Sequence, residues 1–257
     1  MPPKLAANID WLFTDLPPLE RVAAAAAHGL RGIEILFPYG IDADALTAEI
    51  EACGLEVALI NSPPGDWAAG ERGLALSDDE GAFRSSIDQA ASLAARVGCE
   101  RVHVLSGIGD LDSRWERYIE RMRWAAQRLA DDGITMCLEP INATDMPGYA
   151  LNTPGQAVRV LDAIDHPSAR LQLDLYHTWV TEGAVEPTLT DVLPRVAHVQ
   201  IAGVPERNEP DRGDLRLEPI LARLTELDYD GWVGLEYRPR GDTSTGLQAL
   251  LAGLEPI

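Results

Sequence analysis

Four oxygen-bearing side chains recur in one setting along this chain. Glu139 closes the apolar run in ITMCLEPIN, Asp174 ends the one in LQLDLYH, Gln200 lies in VAHVQIAG and Glu236 in WVGLEYRP. Short apolar runs of this kind read as buried strands, whose side chains alternate with a period of two. Thr135, Cys137 and Glu139 therefore share one face, with the carboxylate at the C-terminal lip of its strand. Three carboxylates and an amide oxygen, if they converge, make a hard all-oxygen ligand set. Such a set suits Mg²⁺ or Mn²⁺ better than Zn²⁺, which favours nitrogen and sulfur. Any one strand-end carboxylate is also an ordinary helix-cap partner or half of a salt bridge, and spacing alone leaves both readings open.

Other polar and aromatic residues gather around these strand ends. His177 follows Asp174 by three residues, in the segment leaving the sixth strand, where it can polarise a substrate oxygen or bond the loop. His198 shares the face of Gln200 one layer deeper and reads as a core histidine orienting that amide. His103 alternates with Val102 and Val104 and faces inward, while His28 and His166 stand at helix ends. Arg72, between Gly70 and Gly73 in the long loop 62–75, is a candidate anion binder, as are Arg207, Arg238 and Arg240 after the last two strands. For each, the plain alternative is a solvated surface arginine. Trp11, Phe13, Phe37 and Trp67 follow the first three strands, to wall a small pocket or to close the barrel top.

The elements that must position these groups repeat regularly. Strands are expected at 5–7, 32–36, 56–61, 101–105, 134–139, 170–174, 197–202 and 232–236. Helices between them carry apolar stripes, such as Phe83, Ile87, Ala90, Ala91 and Ala94. Ser77 with Glu80, and Ser113 with Glu116, read as capping boxes, and Thr153 followed by Pro154 as another helix start. A short helical segment is expected around 188–193, and further helices at 217–227 and 243–254. Eight strand–helix units over 257 residues, about 32 each, fit one closed (β/α)8 barrel spanning 1–257, an α/β fold. A doubly wound open sheet is the runner-up, weakened by the lack of any glycine-rich phosphate-binding motif after a strand. In such barrels the C-terminal strand ends form the chemical face, where all four oxygen-bearing residues fall.

Composition narrows the partners. A net charge of −20 with a single lysine, Lys4, argues against nucleic acid, whose binders carry basic patches. A small anionic substrate is compatible with that charge if arginines concentrate at the site. No run approaches the length needed to span a membrane, the N-terminus lacks the apolar core of a signal peptide, and three cysteines form no disulfide or zinc pattern. A cytoplasmic protein is expected.

LEPIN, DMPGYAL, LDLYH, HVQIA, NEP and EYRPRGDT, with GDWAAGERGLA upstream, resemble the hydroxypyruvate isomerase family of xylose isomerase-like TIM barrels, nearly end to end. The resemblance implies a metal-dependent isomerase that interconverts hydroxypyruvate and tartronate semialdehyde through an enediolate, in glyoxylate and carbohydrate metabolism. It implies one divalent ion, typically Mg²⁺, on Glu139, Asp174, Gln200 and Glu236, with Glu139 and Glu236 as the acid–base pair. His177 would then hold a substrate oxygen, and Arg72 or Arg207 the substrate carboxylate. Asn208 stands where the family usually has His, Asp214 where it has Glu, and Arg238 where Lys is common. These departures leave the substrate open. The alternatives are a 2-oxo-tetronate isomerase or a ketose 3-epimerase on the same site, the latter disfavoured by Gln200 where His is usual. A metal-dependent endonuclease fits poorly with five histidines and the acidic charge. A non-catalytic sugar-acid binding protein is the reading from a different class. A homo-oligomer is compatible with all of these.

Overall fold

The structure is a computed structural model describing residues 3–254. The single-domain expectation of 1–257 reaches beyond the described residues at both ends. Eight parallel strands close on themselves in sequence order, with β1 hydrogen-bonded to β8. They are β1 (Lys4–Asn8), β2 (Gly32–Ile35), β3 (Glu56–Asn61), β4 (Arg101–His103), β5 (Thr135–Leu138), β6 (Ala169–Asp174), β7 (Val196–Ile201) and β8 (Trp232–Leu235). The outer ring comprises α1 (Pro18–Ala27), α2 (Ala43–Cys53), α3 (Glu80–Val97), α4 (Trp115–Ala130), α5 (Pro154–Ile164), α6 (Leu175–Glu182), α7 (Glu186–Val192), α8 (Leu217–Glu226) and α9 (Thr243–Ala252). This is the (β/α)8 barrel read from the sequence, not the open sheet.

Most of the apolar burial lies between strands and helices, where Phe83, Ile87, Ala90 and Ala94 of α3 meet the sheet. The barrel interior is different. Its apolar plug is a separate small cluster of Ala6, Ala58 and Trp232. Gly32 makes room for it, since a Cβ there would collide with the Trp232 ring. Above the plug the inward positions are polar: Gln172 and His198 are paired in register, and Asp174 pairs with Gln200 one layer higher. Gln200 in turn pairs with Gly234, so Glu236 stands above them at the rim.

Several local expectations change. Helix α3 is capped by Asp79, whose side chain accepts from Ala82, and the Ser77 hydroxyl accepts from the Asp79 backbone instead of capping a helix. Around Ser113 the chain forms a 3-10 turn (Asp112–Arg114), and α4 begins at Trp115 with no side-chain cap. At the first place Asp79 takes the cap from the serine, and at the second the Ser113 hydroxyl donates back to the Asp110 carbonyl and caps nothing. The expected start at Thr153 holds and is a full capping box, with Gln156 reaching back. Two helices, α6 and α7, replace the single expected segment around 188–193. Asp174 itself caps α6, accepting from Tyr176, and so ends the strand and starts a helix at once.

Thr153→Ala removes the hydroxyl that accepts from the Gln156 backbone and leaves the return bond from the residue-153 backbone to the Gln156 side chain. We expect a loss of about 1 kcal/mol and a fall of roughly 2–4 °C in melting temperature by circular dichroism. An unchanged melting temperature would mean this hydroxyl contributes nothing to the barrel.

Candidate active site

The strand ends bring Glu139, Asp174, Gln200 and Glu236 to one buried mouth. Glu139 and Glu236 lie one residue beyond β5 and β8, which places them just above the last ladder bonds. Asp174 is the last residue of β6, and Gln200 the penultimate one of β7. Glu139 and Glu236 line a cavity of about 450 Å³ with His103, His177 and Arg207, walled by Trp11, Phe37, Trp67, Ile141 and Met146, whereas Asp174 and Gln200 are buried and not part of its lining. A larger open groove of about 720 Å³ runs along the outer face of α2 and α3, away from the strand ends.

Arg207 is the central cation of the mouth. One guanidinium nitrogen, Nη2, donates to Glu236 Oε1 at 2.8 Å and to Asp174 Oδ2 at 3.2 Å. Its guanidinium lies over the rings of Trp11 at 4.5 Å and Tyr176 at 4.8 Å. Burial opposes the charge, yet Glu236 and Asp174 hold the Arg207 pKa above its usual value. Burial also raises the carboxylates. Glu139 is pushed well up by desolvation and by Glu236 and Asp174, and Glu236 to about 8 by desolvation, opposed by Arg207. Asp174 rises for the same first reason, against Arg207 and the backbone bonds from Tyr176 and His177.

His177 sits on α6 rather than in a loop, because Asp174 starts that helix immediately. Asn142 settles its tautomer. The Asn142 oxygen accepts from the backbone of Thr144 and Asp145, which turns its NH₂ toward His177 Nδ1 at 2.6 Å. Nδ1 therefore accepts, and in the neutral ring the proton is on Nε2. Burial and Arg207 lower the His177 pKa well below the usual range, so the ring is neutral. Its Nε2–H points among the acids, 3.5 Å from Asp174 and 3.9 Å from Glu139, as a donor for a substrate oxygen.

Glu34 is the residue the sequence reading missed. It is fully buried and bonds to His198 Nε2 through one oxygen, and to Asn8 and Gln200, each at 2.9 Å, through the other. His198 therefore acts on Gln200 through Glu34, not directly. The one available signal was a charge inside the apolar run GIEIL, in the alternation that also faces Gly32 inward. Gly234 accommodates this carboxylate, since a Cβ there would overlap Glu34 Oε1.

Gln200 sends its NH₂ to Glu34 and, at 2.5 Å, to Glu236, while its oxygen accepts from Gln172 at 2.6 Å. Among His, Cys, Asp and Glu side chains of the described residues, Glu139, Asp174 and His177 each offer one atom within 4.8 Å of the others. With the histidine proton on Nε2, the carboxylates are the ligands this mouth offers first. A divalent cation fits at Glu139 and Asp174, with Glu236 joined to Asp174 through one guanidinium nitrogen of Arg207, and the pKa values of all three, raised first by burial, favour added positive charge there.

The structure does not bring Arg72 into the cavity. Its guanidinium stacks 3.8 Å from the Trp67 ring and donates to the carbonyls of Trp67 and Glu71, which stiffens the 62–75 loop. Arg238 does line the mouth, beside Trp11, whereas Arg240 pairs with Glu209 and Asp211. Trp11, Phe37 and Trp67 wall the pocket as expected, but Phe13 is buried in the core against His28.

Comparison with known proteins gives the kinship. The family model described as xylose isomerase-like TIM barrel matches residues 22–255. The chain is 43% identical over 250 residues to a 2-oxo-tetronate isomerase of Cupriavidus necator, covering 95% of this chain and 96% of that one. It is 35% identical over 250 residues to the hydroxypyruvate isomerase of Escherichia coli, covering 95% and 97%. A crystal structure described as an AP endonuclease, family 2, from Brucella melitensis superposes with a TM-score of 0.94 at 41% identity, covering 99% of this chain and all of that one.

The acid cluster makes a pH prediction. Folded Glu139 and Glu236 keep their protons to higher pH than unfolded glutamates, so the folded chain binds more protons between about pH 4.5 and 8. His103 and His177, with lowered pKa values, act in the opposite sense below about pH 6.5, so stability of the metal-free protein should fall as pH rises from about 6.5 to 8. Scanning calorimetry with a chelator should show the fall, and Mg²⁺ should raise the melting temperature more at about pH 8 than at about pH 5. A metal-free melting temperature that rises with pH over that range would contradict the assignment.

Proposed function

We propose that this member of the xylose isomerase-like TIM barrel family, an enzyme of the isomerase class, moves a proton between C2 and C3 of a short 2-oxo acid. The reading is the interconversion of hydroxypyruvate and tartronate semialdehyde, with the four-carbon 2-oxo-tetronate as the second substrate, favoured by the 43% identity to an isomerase of that name. The observation that carries it is the pair Glu139 and Glu236, both buried, both with raised pKa, facing one cavity beside the neutral donor His177.

One glutamate takes a proton from the hydroxyl-bearing carbon, which leaves an enediolate across C2 and C3. The other returns a proton to the neighbouring carbon, and the hydroxyl proton shifts between the two oxygens. A carboxylate whose pKa is raised toward neutrality is a stronger base and a usable acid at the same pH. His177 Nε2–H donates to a substrate oxygen, and Arg207 with Arg238 provides the positive edge for the carboxylate. The aromatic wall of Trp11, Phe37 and Trp67 limits access of water. Glu139, Asp174 and Glu236 would hold one Mg²⁺ or Mn²⁺, which supplies electrostatic stabilisation of the charge developing on the substrate oxygens. Gln200 would join them only with its amide turned over, since its oxygen accepts from Gln172 and its NH₂ faces Glu236.

Proton NMR of hydroxypyruvate in D₂O with the purified protein and Mg²⁺ tests this directly. Conversion to tartronate semialdehyde, with deuterium entering the product and loss of both signals on chelation, is expected. Glu139→Gln and Glu236→Gln should each lower kcat by about 10²–10⁴-fold. No exchange and no product with either the three-carbon or the four-carbon acid would refute the isomerase reading.

A further inference from the structure

We propose that Asn61 and His103 form a subsite for a substrate hydroxyl, and that it makes a four-carbon hydroxylated 2-oxo acid a better ligand than the three-carbon acid. The inference rests on the isomerase reading for the orientation of the substrate, but the subsite itself stands on separate residues.

Asn61 ends β3 and His103 ends β4, and the two are paired in register, so both side chains enter the mouth at one level. They are 5% and 1% exposed. Among the described residues, the Asn61 side-chain oxygen and both ring nitrogens of His103 are buried without a hydrogen-bond partner. His103 Nδ1 lies 3.3 Å from Glu139 Oε2, but the contact is not aligned as a hydrogen bond. Buried polar groups are almost always paired, because an unpaired one forfeits its bonds to water. Two adjacent residues that break this rule, both lining a cavity, mark where a ligand supplies the missing partners.

The chemistry of the pair selects a hydroxyl. The amide oxygen of Asn61 only accepts, and a neutral imidazole offers one donor and one acceptor. A hydroxyl, which donates once and accepts twice, complements both. Neither residue carries a charge that would attract the carboxylate, which Arg207 and Arg238 draw to the other side.

Barrel closure supplies the geometry. Sequence-order pairing of eight strands puts β3 opposite β7, so Asn61 faces the side from which the Gln200 strand and Arg207 loop rise. A linear acid with its carboxylate by the arginines and C2 and C3 between the glutamates extends its far end toward Asn61 and His103. In hydroxypyruvate that end is the reacting carbon. A four-carbon acid adds a hydroxymethyl group that takes no part in proton transfer, and its hydroxyl reaches the unpaired groups.

Calorimetric titration with two unreactive acids, glycerate and threonate, in the presence of Mg²⁺ tests the subsite. Wild-type protein should bind the four-carbon acid about tenfold more tightly. Asn61→Val, close in size, should bring the preference below about twofold and leave glycerate affinity unchanged. In turnover, the variant should lose kcat/KM on the four-carbon 2-oxo acid and keep it on hydroxypyruvate. No wild-type preference overturns the subsite without any variant being needed, and so does an equal weakening of both acids in Asn61→Val. An Asn61-dependent preference in a protein that isomerises neither acid leaves the subsite standing and removes the isomerase reading. Turnover of both acids without preference removes the subsite alone.

Discussion

Four carboxylates, Glu34, Glu139, Asp174 and Glu236, are buried inside one closed barrel. Charges this close in a medium of low dielectric repel strongly, and each has given up its water. The mouth is organised around meeting that cost. Arg207 spans Asp174 and Glu236, Gln200 donates to Glu34 and Glu236, and Asn8 and His198 close the remaining sites on Glu34. The apolar plug of Trp232, Ala6 and Ala58 seals the layer beneath. Glycines at 32 and 234 exist in this scheme as vacated volume, one for the indole and one for the Glu34 carboxylate.

That arrangement divides the acids by role. Glu34 lies deepest, is saturated with donors and has no access to the cavity, so it serves to orient the Gln200 amide. Glu139 and Glu236 line the cavity and hold protons far above the ordinary carboxylate range. Asp174 is tied to the chain twice over, as a strand end and as the cap of α6, which fixes its direction and places His177 one turn away. The same local event that ends β6 thus places the His177 ring beside Asp174 and Glu139.

Two of the departures from the family's usual residues, Asn208 and Arg238, meet in space. The Asn208 side chain donates to the Arg238 carbonyl, and the Arg238 backbone donates to Arg207. A change in the loop after β7 is therefore transmitted to the arginine edge of the mouth. The chain is similar both to a 2-oxo-tetronate isomerase and to a hydroxypyruvate isomerase.

Much of this was legible in the residues themselves. Period-two alternation marked the strands and aimed Glu139, Asp174, Gln200 and Glu236 inward, because a one-residue slip would turn each run's apolar side chains out of the core. The repeat of about 32 residues pointed to a parallel α/β fold and favoured the barrel over a doubly wound sheet, since parallel strands need long crossovers. Tertiary structure alone decided the rest. Arg72 and Arg207 are both loop arginines after strands, yet Trp67 of its own loop captures the first, and buried acids at the ends of two other strands capture the second. Glu34 owes its role to His198, 164 residues away, and the unpaired pair of Asn61 and His103 arises only when β3 and β4 align. Local patterns fix which way a side chain points along its own strand. Which groups it meets is set by closure of the barrel, which brings together residues far apart in the chain.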